Sequence, residues 1–193
     1  MKKLFIALSL FAFTSNTVIA QDAATPELPA ISAANAAAFF IPASVTATYK
    51  LTEAKGDAWM KVYNNMADDA KLQRVNDIRW QASSKAEAIE WYEANLTMLS
   101  EDGKEVTDQL AKPAAVDAWH VYEANENMKK MMEAMGMKQN QYTYTFVVDK
   151  YVVKIFVGTN DATSLKESWS FVKEGLKAVL KASGNPKMAE LVL

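Results

Sequence analysis

An α+β fold, with helices packed on an antiparallel or mixed sheet, is what this sequence predicts, and three observations predict it. Two β-rich runs, 141–148 and 150–157, follow one another with almost nothing between them, so the chain turns back as a hairpin near Asp149-Lys150. So direct a connection rules out a purely parallel sheet. Leu165, Trp169, Val172, Leu176, Val179 and Leu180 form an apolar stripe at helical spacing, which predicts a long closing amphipathic helix. Upstream, runs of period two alternate with runs of helical period, in the order β-α-β-α-(β)-β-α-β-β-α.

The chain starts with an export signal. Lys2 and Lys3 precede an uncharged, mostly apolar run from Leu4 to Phe13, and Val18-Ile19-Ala20 ends in small or β-branched residues. That layout predicts cleavage near Ala20-Gln21 and a mature protein in the periplasm or secreted. Crossing a bilayer takes about 20 apolar residues. This run is too short, and no second one follows it, so the mature chain is expected to lack a transmembrane segment. Residues 21–43, with Pro26, Pro29 and Pro42, read as an Ala/Pro-rich lead-in whose Phe39-Phe40-Ile41 cluster docks on the domain. Residues 44–193 then read as a single α+β domain.

Within that domain, Val45, Ala47, Tyr49 and Leu51 alternate and predict a strand. Asp57 is placed to cap a helix carrying Trp59, Val62, Tyr63 and Met66 on one face. Residues 75–82 are expected to be a strand. Ser84 and Glu87 have the spacing of a capping box, opening a helix that carries Ile89, Tyr92, Leu96 and Leu99 and stops at Glu101-Asp102-Gly103. Residues 116–122 read as a strand, and Asn125 as the cap of a short helix ending at Gly136. Ser164 and Glu167 repeat the capping-box spacing before the last helix. Gly184 ends that helix, and Pro186 is expected to prevent resumption. A terminal hairpin followed by a long closing helix resembles the layout of PsbP/Mog1-like α/β/α sandwiches. The resemblance is one of layout and implies helices on the sheet's two faces.

Composition removes several function classes. Loss of Lys2 and Lys3 with the signal takes the formal net charge from −2 to −4, and Arg74 and Arg79 are the only arginines. Nucleic-acid binding, which needs a cationic surface, is therefore not expected. The chain has no cysteine, so it carries no disulfide framework, thiolate nucleophile or thiolate metal site. It has no Gly-rich phosphate loop, no G-x-S-x-G nucleophile motif and no H-E-x-x-H zinc spacing.

Two groups of residues stand out chemically. Met128, Met131, Met132, Met135 and Met137 place five of the ten methionines within ten residues, the first four on one helical face. Such a face either belongs to the core, where Met fills irregular gaps, or presents an adaptable surface. With Trp119, it would then receive a small apolar ligand or an envelope protein partner. Thioethers also suit copper in its reduced state, with His120 as a further donor and Met137 nearby. His120 is the only histidine. It reads as a hydrogen-bonded structural residue, or as a base lacking a visible nucleophile. A carboxylate-based hydrolase would require two facing acids, which no spacing here specifies. Lys166, Lys173, Lys177 and Lys181 read as the solvated face of the last helix. The leading expectation is a non-enzymatic binding or accessory protein of the cell envelope. Copper handling through the methionine face is the alternative, and a hydrolase the second alternative.

Overall fold

A computed structural model describes residues 30–67, 69–134 and 140–190. The signal segment, its cleavage point, Met135, Gly136 and Met137 lie outside the described residues. Helices α1 (Ala36–Phe39) and α2 (Ala43–Thr48) lead into strands β1 (Thr52–Gly56), β2 (Met60–Asn64) and β3 (Leu72–Gln81). Helix α3 (Lys85–Asp102), strand β4 (Gly103–Glu105) and a 3-10 turn (Thr107–Gln109) precede β5 (Ala118–Ala124) and α4 (Glu126–Ala134). The hairpin β6 (Asn140–Val148) and β7 (Tyr151–Thr159), then α5 (Leu165–Ala182) and α6 (Pro186–Glu190), complete the chain.

The seven strands among the described residues join one antiparallel sheet in the order β1-β2-β3-β7-β6-β5-β4. Alternation along β6 and β7 divides the core between the two faces. Tyr144, Phe146, Val153, Ile155 and Val157 point to one side, where they bury against Phe171, Val172, Leu176 and Val179 of α5. Val147 and Val152 point to the other, against Ala88 and Tyr92 of α3. Helices therefore lie on both faces, in three layers. Phe39, Phe40 and Ile41 are fully buried in the larger core, so the proline-rich stretch ends as part of the fold.

Four local expectations are corrected. Residues 43–48 are helical, not a strand. Val45 and Tyr49 are two steps of a strand period apart but also one helical turn apart, and both pack on the larger core, with Tyr49 edge-on to Phe171 at 5.0 Å. Lys50, at φ 53°, ends the turn. Residues 57–66 do not form a helix. The Asp57 carboxylate accepts the N–H groups of Trp59 and Met60, both at 2.7 Å. It tightens the β1–β2 turn by the chemistry that would have capped a helix. Strand β1 was not anticipated, being a wholly exposed edge with no buried period to read, while β4 falls where the sequence order has an optional strand without bounds. Pro186 occupies the first position of α6, where a missing N–H costs nothing.

The caps follow the sequence more closely. Ser84 accepts from Glu87 N–H at 3.2 Å, but Glu87 reaches back to Ser83 N–H, one residue earlier than expected. At α5 the box is complete. Ser164 Oγ accepts from Glu167 N–H at 3.3 Å, and Glu167 Oε2 accepts from Ser164 N–H at 2.9 Å. The Ser164 N–H, then Lys71 and the Ser164 hydroxyl, hold the Glu167 carboxyl down to about 2. A depressed folded-state value means that Glu167 contributes stability above its ordinary 4.5 and loses it as pH falls toward about 2. The difference in urea midpoint between the native chain and Glu167→Gln should therefore be constant above pH 4.5 and vanish near pH 2. A difference that persists there would place the effect elsewhere than the carboxylate.

Candidate functional site

The methionine helix does not present one uniform face. Met132 is buried, Met128 is partly buried and Met131 is 48% exposed. Trp119 is buried and tilts against Trp169 of α5, ring centroids 5.5 Å apart. Helix α4 is tied to β5 by Lys129 and Glu123 at 3.0 Å. Glu123 and His120 are an odd number of residues apart on one strand, so they point to opposite faces. His120 and the methionine helix are thus anchored from opposite sides of the sheet, and Trp119 does not join His120 either.

His120 belongs to a cluster under α3. Its Nδ1 faces the Tyr92 hydroxyl, its ring stacks on Tyr122 with centroids 6.2 Å apart, and Nε2 lies 3.6 Å from Glu105 Oε1. Burial pushes the Tyr92 hydroxyl far above the usual phenol range, so it keeps its proton, and which of the two groups donates follows the histidine tautomer. Tyr92 is only 2% exposed. This chain of groups orients a histidine, but its hydroxyl is sealed from any substrate. The sequence singled out His120 but not its partners, because Tyr92 reads as helix core and Glu105 as loop.

Asp77 and Arg79 form an ion pair, Nη2 to Oδ1 2.7 Å, with both side chains fully buried between the sheet and α5. Asp77 Oδ2 also accepts Ile41 N–H at 3.0 Å. Burial pushes the Asp77 carboxyl up and the Arg79 guanidinium down, while each favours the charge of the other. The pair opens on no cleft among the described residues. A small cleft of about 130 Å³ lies between Lys71, Thr163, Glu167 and Ser170, and one of about 360 Å³ beside Asn64, Asn65 and Met66. Among the described residues, no group of three or more His, Cys, Asp or Glu side chains could hold a metal ion.

The arrangement best suited to binding lies on the α3 face itself. Helix α3 packs on β4, β5, β6 and β7, leaving the β1–β3 half of that face without a covering helix among the described residues. Met60 pairs with Ile78, Val62 with Asn76, Asn76 with Phe156, and Trp80 with Val152. By alternation, Met60, Val62, Ile78, Trp80 and Phe156 share this surface. Each is partly exposed, and all but Trp80 stand outside both core clusters. With Asn76 and Lys154 set among them, these side chains form an apolar patch that, apart from Trp80, lies outside both core clusters. Sequence reasoning missed it because residues 57–66 were read as a helix, which assigned Val62 to a buried stripe.

No family model matches the sequence, and no curated protein matches it. A structure from Bacteroides thetaiotaomicron VPI-5482, solved at 1.50 Å resolution, is similar over 61% of this chain, with 9% identity and a TM-score of 0.32. The chain spans 38% of that protein, and a likeness at this level carries no argument about fold or function.

Proposed function

We propose that this is an exported, non-enzymatic binding protein of the cell envelope, and that it holds an apolar ligand on the open β1–β3 half of its sheet. One observation carries the reading: Met60, Val62, Ile78 and Phe156 are adjacent, partly exposed and outside both core clusters. Contiguous apolar surface left in water is disfavoured and marks places where proteins bind. The signal layout of residues 1–20 supports export. The buried Tyr92 hydroxyl and the sealed Asp77–Arg79 pair are withheld from any substrate, which supports binding over catalysis.

The uncharged dye Nile red, titrated against the mature chain, tests the site. It should bind saturably. Ile78→Thr together with Phe156→Thr should weaken binding about tenfold, since each contact removed is worth on the order of 1 kcal/mol. Met128→Thr with Met131→Thr should leave binding unchanged. The reverse pattern would move the site to α4 and overturn the sheet-face reading.

A further inference from the structure

The open face is polarised along its strands. Trp80 lies at one end, with Met60 and Ile78 one rung in; Lys55, Val62, Asn76 and Phe156 share the next rung, and Asn64 and Arg74 lie at the far end. Lys55 pairs directly with Val62 across β1 and β2. Arg74 pairs with Asn64, two residues from Val62, so it lies on the diagonal, roughly 7–8 Å away. The two cations therefore bracket Val62. Both are exposed, and among the described residues neither is in an ion pair. Among the described residues, Arg74 Nε donates to the Asn76 amide oxygen at 3.3 Å.

The strands of the open half place no charge of the opposite sign on it. Glu53 and Asp77, the carboxylates of β1 and β3, belong to the other face. There Glu53 is paired with Lys61 at 3.0 Å and Asp77 with Arg79. The strands β1, β2, β3 and β7 place no Asp or Glu on the open face. Lys154 also lies on this face, opposite Ile78, but it is not a free charge.

We propose that the occupant is a single-chain amphiphile with a carboxylate head, of the fatty-acid type. Its head lies between Lys55 and Arg74, and its chain runs over Val62 and Phe156 toward Ile78, Met60 and Trp80. This assignment rests on the binding-face reading above and adds the ligand's charge and polarity. A neutral apolar ligand would leave the basic end without a role. A cationic one would be repelled by it.

Displacement of Nile red from the mature chain by laurate, below its micelle concentration, and by lauryl alcohol tests the head group. At low ionic strength laurate should displace the dye at about one-tenth the concentration the alcohol needs, because two exposed charge contacts together give a factor of that order. Lys55→Gln with Arg74→Gln should bring the two ligands level by weakening laurate alone, and added salt should narrow the gap in the native chain. Both positions are exposed, so an unchanged Tm is expected for the double variant. Equal displacement by acid and alcohol, or a preference that survives the double variant, overturns the carboxylate assignment while leaving the apolar face intact. Dye binding indifferent to Ile78 and Phe156 overturns the face itself.

Discussion

Asp77→Ala should destabilise the protein by about 3–5 kcal/mol, the cost of leaving one charge of a buried pair unmatched. Arg79 is 1% exposed and Asp77 is fully buried. With Asp77 gone, the guanidinium keeps its desolvation penalty and loses its only counter-charge among the described residues. Its Nε and Nη1 already have no hydrogen-bond partner there, so nothing nearby compensates. The same change orphans Ile41 N–H. Urea unfolding measures the loss. A double replacement, Asp77→Leu with Arg79→Met, should recover most of it, because a volume-matched apolar pair escapes both desolvation costs. Should Asp77→Ala cost under about 1 kcal/mol, the pair would have to be neutral rather than ionic. The pair's main contribution is then positional: it clips Ile41, and with it the N-terminal segment, onto β3.

Replacing Phe39, Phe40 and Ile41 together by alanine should unfold the chain at ordinary temperatures. Each side chain is at most 3% exposed. Truncating buried Ile to Ala costs about 2–5 kcal/mol and Phe to Ala about 3–5. The combined loss rivals the roughly 5–15 kcal/mol that a domain has in total. Phe39 packs on Tyr151 with ring centroids 5.2 Å apart, and Phe40 lies 5.9 Å from the Arg79 guanidinium carbon. Because Phe40 and Ile41 touch the charged pair, their costs will not add independently of Asp77. Circular dichroism against temperature reads the outcome. A cooperative transition near the native Tm would mean that residues 30–42 are a dispensable strap.

Long elements with one dominant period were legible. The stripe Leu165 to Leu180 became α5, and the alternating runs around Asp149 became β6 and β7, because each buries one continuous face. Short elements were not. Val45 and Tyr49 satisfy two periods at once, and Asp57 makes the same side-chain-to-N–H bond in a hairpin turn as at a helix start. Only the tertiary partner decides between them. Strand β1 had no signal, since Thr52–Gly56 is exposed throughout. For the site, residue type drew attention to His120 and the methionines. The patch around Ile78 and Phe156 depends on which strands lie side by side, and local spacing cannot encode that.

The strand order also carries a consequence for how the chain reaches its folded state. Strands β6 and β7 occupy the centre of the sheet, yet they are the last strands in the sequence. Strand β3 waits for β7, with Leu72 opposite Thr159, and β5 waits for β6. Until residue 159 is available, the earlier strands form only two separate fragments, neither able to close a core. Pairing across such sequence distance is slow, because loop closure precedes the contacts that reward it. A polypeptide with this wiring stays open while its leading portion emerges. That delay fits the export we propose, because a chain crossing a membrane in extended form has to defer collapse until its final hairpin has passed.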